Sequence, residues 1–176
     1  LRGNSLVGLV VPDGWSELAA LDLRYNQWND LDLPADPVRL RTLELAGNSL
    51  SELNLPSGMT NLAQLGLGWN RLSHLSLPDD LGSLREVDLD GNRFTSFTVP
   101  AGSPQLASLR LGANLLTNLS LPGGLARLHT LDLMGNKLSS LALPAGLTGL
   151  NALNLVANDL SSLTLPAGLS NLTTLD

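Results

Sequence analysis

Cysteine is absent from the chain, so disulfides, thiolate nucleophiles and thiolate metal ligands are all excluded. Lysine occurs once, at Lys137, and the formal net charge is −6. A chain without a basic stripe has nothing to neutralise a phosphate backbone, which argues against nucleic acid as a partner. Aromatic residues make up 3% of the sequence against 43% hydrophobic residues. Any core must therefore be built from aliphatic side chains, and leucine supplies most of them. No apolar run approaches the ~20 residues that cross a bilayer, so no membrane insertion is expected. The stretch opens at Leu1 inside a repeat, where no secretory leader is expected. Histidine is nearly absent too: His74 and His129 belong to different copies of the repeat described next, too far apart to share a metal or a proton. The serines lack a base partner, and the glycines recur as turn punctuation and form no phosphate-binding loop. The sequence thus points away from catalysis and calls for no cofactor and no resident metal.

What the chain has is one unit, repeated. Asn4, Asn26, Asn48, Asn70, Asn92, Asn114, Asn136 and Asn158 follow one another at a constant spacing of 22 residues. Leu43, Leu45, Asn48, Leu50, Leu53, Leu55, Pro56 and Gly58 fill one copy of the frame around them. Leu131, Leu133, Asn136, Leu138, Leu141, Leu143, Pro144 and Gly146 fill another. Such periodicity marks a quasi-one-dimensional stack in which each unit buries its apolar side against its neighbours. Residues 1–176 read as a single domain of eight 22-residue repeats. Both ends fall inside a repeat, and neither carries a polar cap. The expectation is a fragment of a longer array; the alternative is a unit that stacks end to end with other copies.

The frame Leu-x-x-Leu-x-Leu-x-x-Asn-x-Leu resembles the leucine-rich repeat family over all 176 residues. The repeat length and the Leu-Pro-x-Gly ending are similar to bacterial members, a group that includes internalin-type surface proteins. The resemblance implies a right-handed solenoid with a parallel sheet on its concave face, used mostly to grip proteins, and a secreted or cell-surface setting in a bacterium.

The residues themselves support a mainly β solenoid with little or no helix. In each Leu-x-Leu the leucines alternate with polar residues, the pattern of a half-buried strand. Each asparagine follows such a strand, where its amide can satisfy backbone groups of adjacent turns. A second alternation, as in Leu53-Asn54-Leu55 and Leu119-Ser120-Leu121, predicts short strands on the convex face, each stopped by proline. Their outward positions form a Ser/Thr column: Ser51, Ser73, Thr95, Thr117, Ser139 and Ser161.

Departures from the repeat point to function, because a uniform scaffold needs none. Trp15, Trp28, Phe94 and Phe97 replace core leucines. Tyr25 and Trp69 instead stand just before the ladder asparagine, where the other repeats have Gly or Ala, and exposed aromatics are typical binding anchors. On the concave face Glu86, Asp88 and Asp90 form an acidic row beside Gln64, Gly66 and Gly68, where the glycines are expected to leave a shallow trough. Asp88, Arg110 and Asp132 are expected to be lateral neighbours, with Arg110 bridging the two acids. The candidate binding face comprises Tyr25, Trp69, Gln64, Glu86, Asp88, Asp90, Arg110 and Asp132, and suits a protein partner presenting basic and apolar groups. A structural stalk or spacer is the alternative, and a glycan-binding surface a third. Asp30, Asp32 and Asp36 offer oxygen ligands for Ca²⁺ but lack the spacing of a calcium loop. The sequons at Asn118 and Asn171 arise from the repeat itself.

Overall fold

A computed structural model describes residues 1–8, 17–33 and 39–176. Trp15 and Asp36 lie outside the described residues. Twelve short strands occur in chain order: β1 (Ala20–Asp22), β2 (Thr42–Glu44), β3 (Gln64–Gly66), β4 (Glu86–Asp88), β5 (Ser96–Thr98), β6 (Ser108–Arg110), β7 (Asn118–Ser120), β8 (Thr130–Asp132), β9 (Ser140–Ala142), β10 (Ala152–Asn154), β11 (Ser162–Thr164) and β12 (Thr174–Leu175). No α-helix is present among the described residues.

One eight-stranded parallel sheet runs β1-β2-β3-β4-β6-β8-β10-β12. Every pairing joins residues 22 apart, as in Leu21↔Leu43 and Asp88↔Arg110. The alternation of the sequence fixes this register: a one-residue slip would turn each central leucine out to solvent. Leu43, Leu65, Leu109 and Leu131 point inward and are essentially unexposed, with Val87 in the same column. The ladder continues past each strand through bonds such as Leu45 N–H to Gly66 C=O at 2.7 Å. A single i→i+3 turn then closes most units, as in Leu62 N–H to Met59 C=O at 2.9 Å and Leu84 N–H to Leu81 C=O at 3.0 Å.

The opposite side is less regular than its sequence. β5 pairs with β7 and β9 with β11, while the segments around Leu53-Asn54-Leu55 and Leu75-Ser76-Leu77 form no strand. Proline ends every one of these segments and removes a donor from each rung. The remaining ladder has so few bonds that small differences in spacing decide whether it forms. The Ser/Thr column is exposed throughout, and Thr117 and Ser161 donate along it to the carbonyls of Thr95 and Ser139 at 3.3 and 3.2 Å.

The core is one continuous cluster of leucines, with Trp28, Met59, Phe94 and Phe97 as larger members. Phe94 and Phe97 meet edge to face at a centroid distance of 5.8 Å, a preferred aromatic geometry. Ser103 occupies a leucine position of the repeat, is fully buried, and its hydroxyl has no partner.

Candidate functional site

The asparagine after each strand ties its own turn to the preceding one. Asn114 Nδ2 donates to Leu89 C=O at 2.9 Å in the preceding turn and to Leu111 C=O at 3.1 Å in its own. Its Oδ1 accepts Phe94 N–H at 3.1 Å. Asn70, Asn92 and Asn136 repeat this pattern and are buried; Asn26, Asn48 and Asn158 repeat it partly buried. Asn4 is exposed and bonds to Leu1 and Arg2 C=O within its own turn. These bonds aim the residue just before each asparagine outward. That residue has a positive φ in every repeat, from 50° at Ala113 to 70° at Gly47. Six repeats place Gly or Ala there, whereas Tyr25 (φ 56°) and Trp69 (φ 59°) hold a conformation that costs a bulky L-residue ~1–2 kcal/mol.

Both rings project from the rim of the sheet, 55% and 66% exposed. Each rests on the glycine of the next turn. A Cβ at Gly47 would stand 2.6 Å from Tyr25 Cδ1, and one at Gly91 2.6 Å from Trp69 Cε3, so only glycine admits the ring. Arg2 places its guanidinium over Tyr25 at 5.1 Å from the ring centroid.

The sheet face beside this rim holds a trough of about 410 Å³ that includes Gln64, Glu86, Asp88 and Arg110. Thr42 donates to Gln64 at 3.2 Å and Gln64 donates to Glu86 at 3.2 Å, a polar row across β2, β3 and β4. Arg24 and Glu44 also line the trough, and neither stood out in the sequence on its own. Read down one outward column at 22-residue spacing, the signal was present: Asp22, Glu44, Gly66, Asp88, Arg110, Asp132. The glycine strand is not bare. Glu44 folds its carboxylate over Gly66, where a Cβ would collide with it, and Asp88 Oδ1 comes within 3.0 Å of the Cβ position of Gly68. With no side chain at Gly66 or Gly68, acids from both neighbouring strands lean across these positions.

Asp88, Arg110 and Asp132 are lateral neighbours, as the register requires. The expected Arg110 bridge is absent: among the described residues the ion pairs are Arg24–Asp22, Arg24–Glu44 and Arg39–Glu17. The acids are engaged elsewhere. Asp88 Oδ1 accepts Asp90 N–H and Asp132 Oδ1 accepts Met134 N–H, both at 3.0 Å, in the short side-chain turns typical of Asp. Arg110 is left exposed.

The carboxylates differ in their protonation. The Arg24 side chain bonds Asp22 at 2.7 Å and holds its pKa below the ordinary value. Burial raises Glu44 despite the attraction of Arg24. Asp90, half buried, is pushed up to about 6 by burial and by the neighbouring charge of Asp88, against the bond it accepts from Gly112 N–H at 2.6 Å. Among the described residues no group of three or more His, Asp or Glu could hold a metal ion. His74, His129, Asp30 and Asp32 are exposed. No helix of the described residues is long and apolar enough to cross a membrane.

Comparison of the sequence with protein-family models and with curated proteins gives no match. Solved structures do match. The leucine-rich effector protein YopM from Yersinia pestis is 28% identical at a TM-score of 0.75, over 89% of this chain and 42% of that one. YopM from Yersinia enterocolitica WA-314 is 28% identical at 0.67, over 88% and 36%. The plant peptide hormone receptor RGFR1, solved in complex with RGF2, is 25% identical at 0.65, over 91% and 28%. The chain spans less than half the length of each of these proteins. Its fold is the leucine-rich repeat solenoid, and its neighbours include bacterial members of that class.

Proposed function

We propose that this leucine-rich repeat solenoid is a non-enzymatic scaffold that binds a protein partner through the face of its eight-stranded sheet. The observation that carries the reading is the concentration of irregularity on that face. Tyr25 and Trp69 stand exposed at its rim in a backbone conformation unfavourable to them. The trough beside them gathers Glu44, Glu86 and Asp88, flanked by Arg24 and Arg110. Exposed aromatics are the usual anchors of protein interfaces, and surrounding charge steers the encounter and selects the partner. The complex of the similar receptor RGFR1 with RGF2 supports use of this fold for binding. The likeness to YopM, an effector protein, supports a bacterial protein that acts in a secreted or surface setting. A uniform stalk would need neither the aromatic rim nor the acidic row, so the spacer reading is the weaker one.

The test is a pair of photo-crosslinking variants, one with the reactive group at Ser108 on the sheet face and one at Ser139 on the opposite side. In extracts of the source organism, protein adducts are expected from Ser108 alone. Equal adducts from both positions, or none from either, would contradict the reading.

A further inference from the structure

We propose that the rim formed by Tyr25 and Trp69, with the carboxylates beside it, docks a proline-rich basic segment of the partner in the polyproline II conformation. This rests on the protein-partner reading and specifies the partner's chemistry.

Spacing is the first argument. Tyr25, Gly47 and Trp69 occupy one column of the solenoid, and their turns are consecutive and hydrogen-bonded: Tyr25 N–H to Ala46 C=O at 2.9 Å and Gly47 N–H to Gly68 C=O at 2.9 Å. Two steps of a parallel ladder separate the rings by about 10 Å. A polyproline II segment advances about 9 Å in its three-residue turn, so residues i and i+3 reach both rings from one side. An extended strand presents like-facing side chains about 7 or 13 Å apart, and matches neither.

The way the rings are held is the second. Aromatic and glycine alternate down the column as Gly3, Tyr25, Gly47, Trp69, Gly91, a two-turn period laid over a one-turn scaffold. Each ring lies against the glycine that follows it and keeps more than half its surface in solvent. The result is a pair of exposed rings, anchored from beneath, of the kind that aromatic-lined grooves offer to proline.

Charge supplies the third. Glu44, Glu86 and Asp88 lie on the strands beside the rim and Asp90 just past the end of β4, and Asp88 and Asp90 each accept a backbone N–H through Oδ1. Arg2 already stands over the Tyr25 ring, which shows that the rim accommodates a guanidinium. A neutral polysaccharide would leave these charges unused, and an acidic one would be repelled by them.

The experiment is selection from a phage-displayed library of random twelve-residue peptides on the whole chain, followed by titration of synthetic binders. The expected binders carry two prolines three residues apart and at least one Arg or Lys. Trp69→Ala should weaken them at least ~10-fold, as for a central anchor. Asp88→Asn should reduce the salt dependence of binding, and Ser139→Ala should leave affinity unchanged. Ala113 and Ala157 hold the same backbone conformation as Trp69, so Trp69→Ala is expected to fold. Binders without the proline spacing that still depend on Asp88 or Arg110 would overturn this inference and leave the protein-binding reading standing. No peptide binder at all would overturn it.

Discussion

At the scale of single residues, the asparagine ladder and the half-buried acids make opposite contributions to stability. Removing the Asn114 side chain leaves Phe94 N–H without its partner and takes one of two amide donors from the carbonyls of Leu89 and Leu111, which keep those of Asn92 and Asn136. Asn114→Ala is expected to cost ~1–3 kcal/mol, the penalty of a buried group left unpaired, in denaturant titration. Asn118→Ala, at an exposed position of β7, serves as the control and should change nothing measurable. Asp90 behaves in reverse. Its folded-state pKa of about 6 lies above the ordinary 3.8, so the folded chain holds this proton more tightly than the unfolded one. Its contribution therefore falls as pH rises from about 4 to about 6 and is lost above that. Asp90→Asn keeps an acceptor for Gly112 N–H and removes a charge that faces Asp88 and Asp132, with only Arg110 to oppose them. Melting temperature should rise at pH 7.5, by the equivalent of ~1 kcal/mol once solvent screening is allowed for, and stay unchanged at pH 4. A rise of equal size at both pH values would rule out ionisation as the cause.

At the scale of elements, the sequence specified one side of the solenoid well and the other incompletely. Leucine alternation and the 22-residue period sufficed for the strands of the large sheet, because burial on one side makes register unambiguous. The second strands share the alternation, but proline and short length leave their pairing to details of packing that a pattern does not carry. The trough was legible only in part. Gln64, Glu86, Asp88 and Arg110 could be placed by spacing; the reach of Glu44 across Gly66, and the return of Asp88 and Asp132 to their own backbone, depend on side-chain conformation. The left-handed backbone before each asparagine was hinted at by six glycines and alanines, while Tyr25 and Trp69 obscured it. Ser103 interrupts the buried leucine column with a single small polar residue. Its buried hydroxyl has no partner, so Ser103→Ala should stabilise the turn between β5 and β6 by ~1 kcal/mol. Thermal melting will show it, and a fall in melting temperature would mean that the hydroxyl is satisfied in solution.

Across the whole molecule, a repeating core and a non-repeating surface divide the work. Stacked leucines and the asparagine ladder supply stability along the axis, turn by turn, with each unit depending on its neighbours. That regular scaffold frees the sheet face and its rim to depart from the repeat, and the largest departure is Trp69. On the binding reading, this ring is maintained for what it meets at the surface and not for what it contributes to the fold. The thermal stability of Trp69→Gly tests that claim most directly. Glycine relieves the left-handed strain, worth ~1–2 kcal/mol, and offsets the gain in part through greater freedom of the unfolded chain. The predicted result is a melting temperature at or above that of the parent protein. A fall of several degrees would contradict the account, because it would make the packing of the ring on Gly91 a structural contact and remove the reason to read the rim as a binding site.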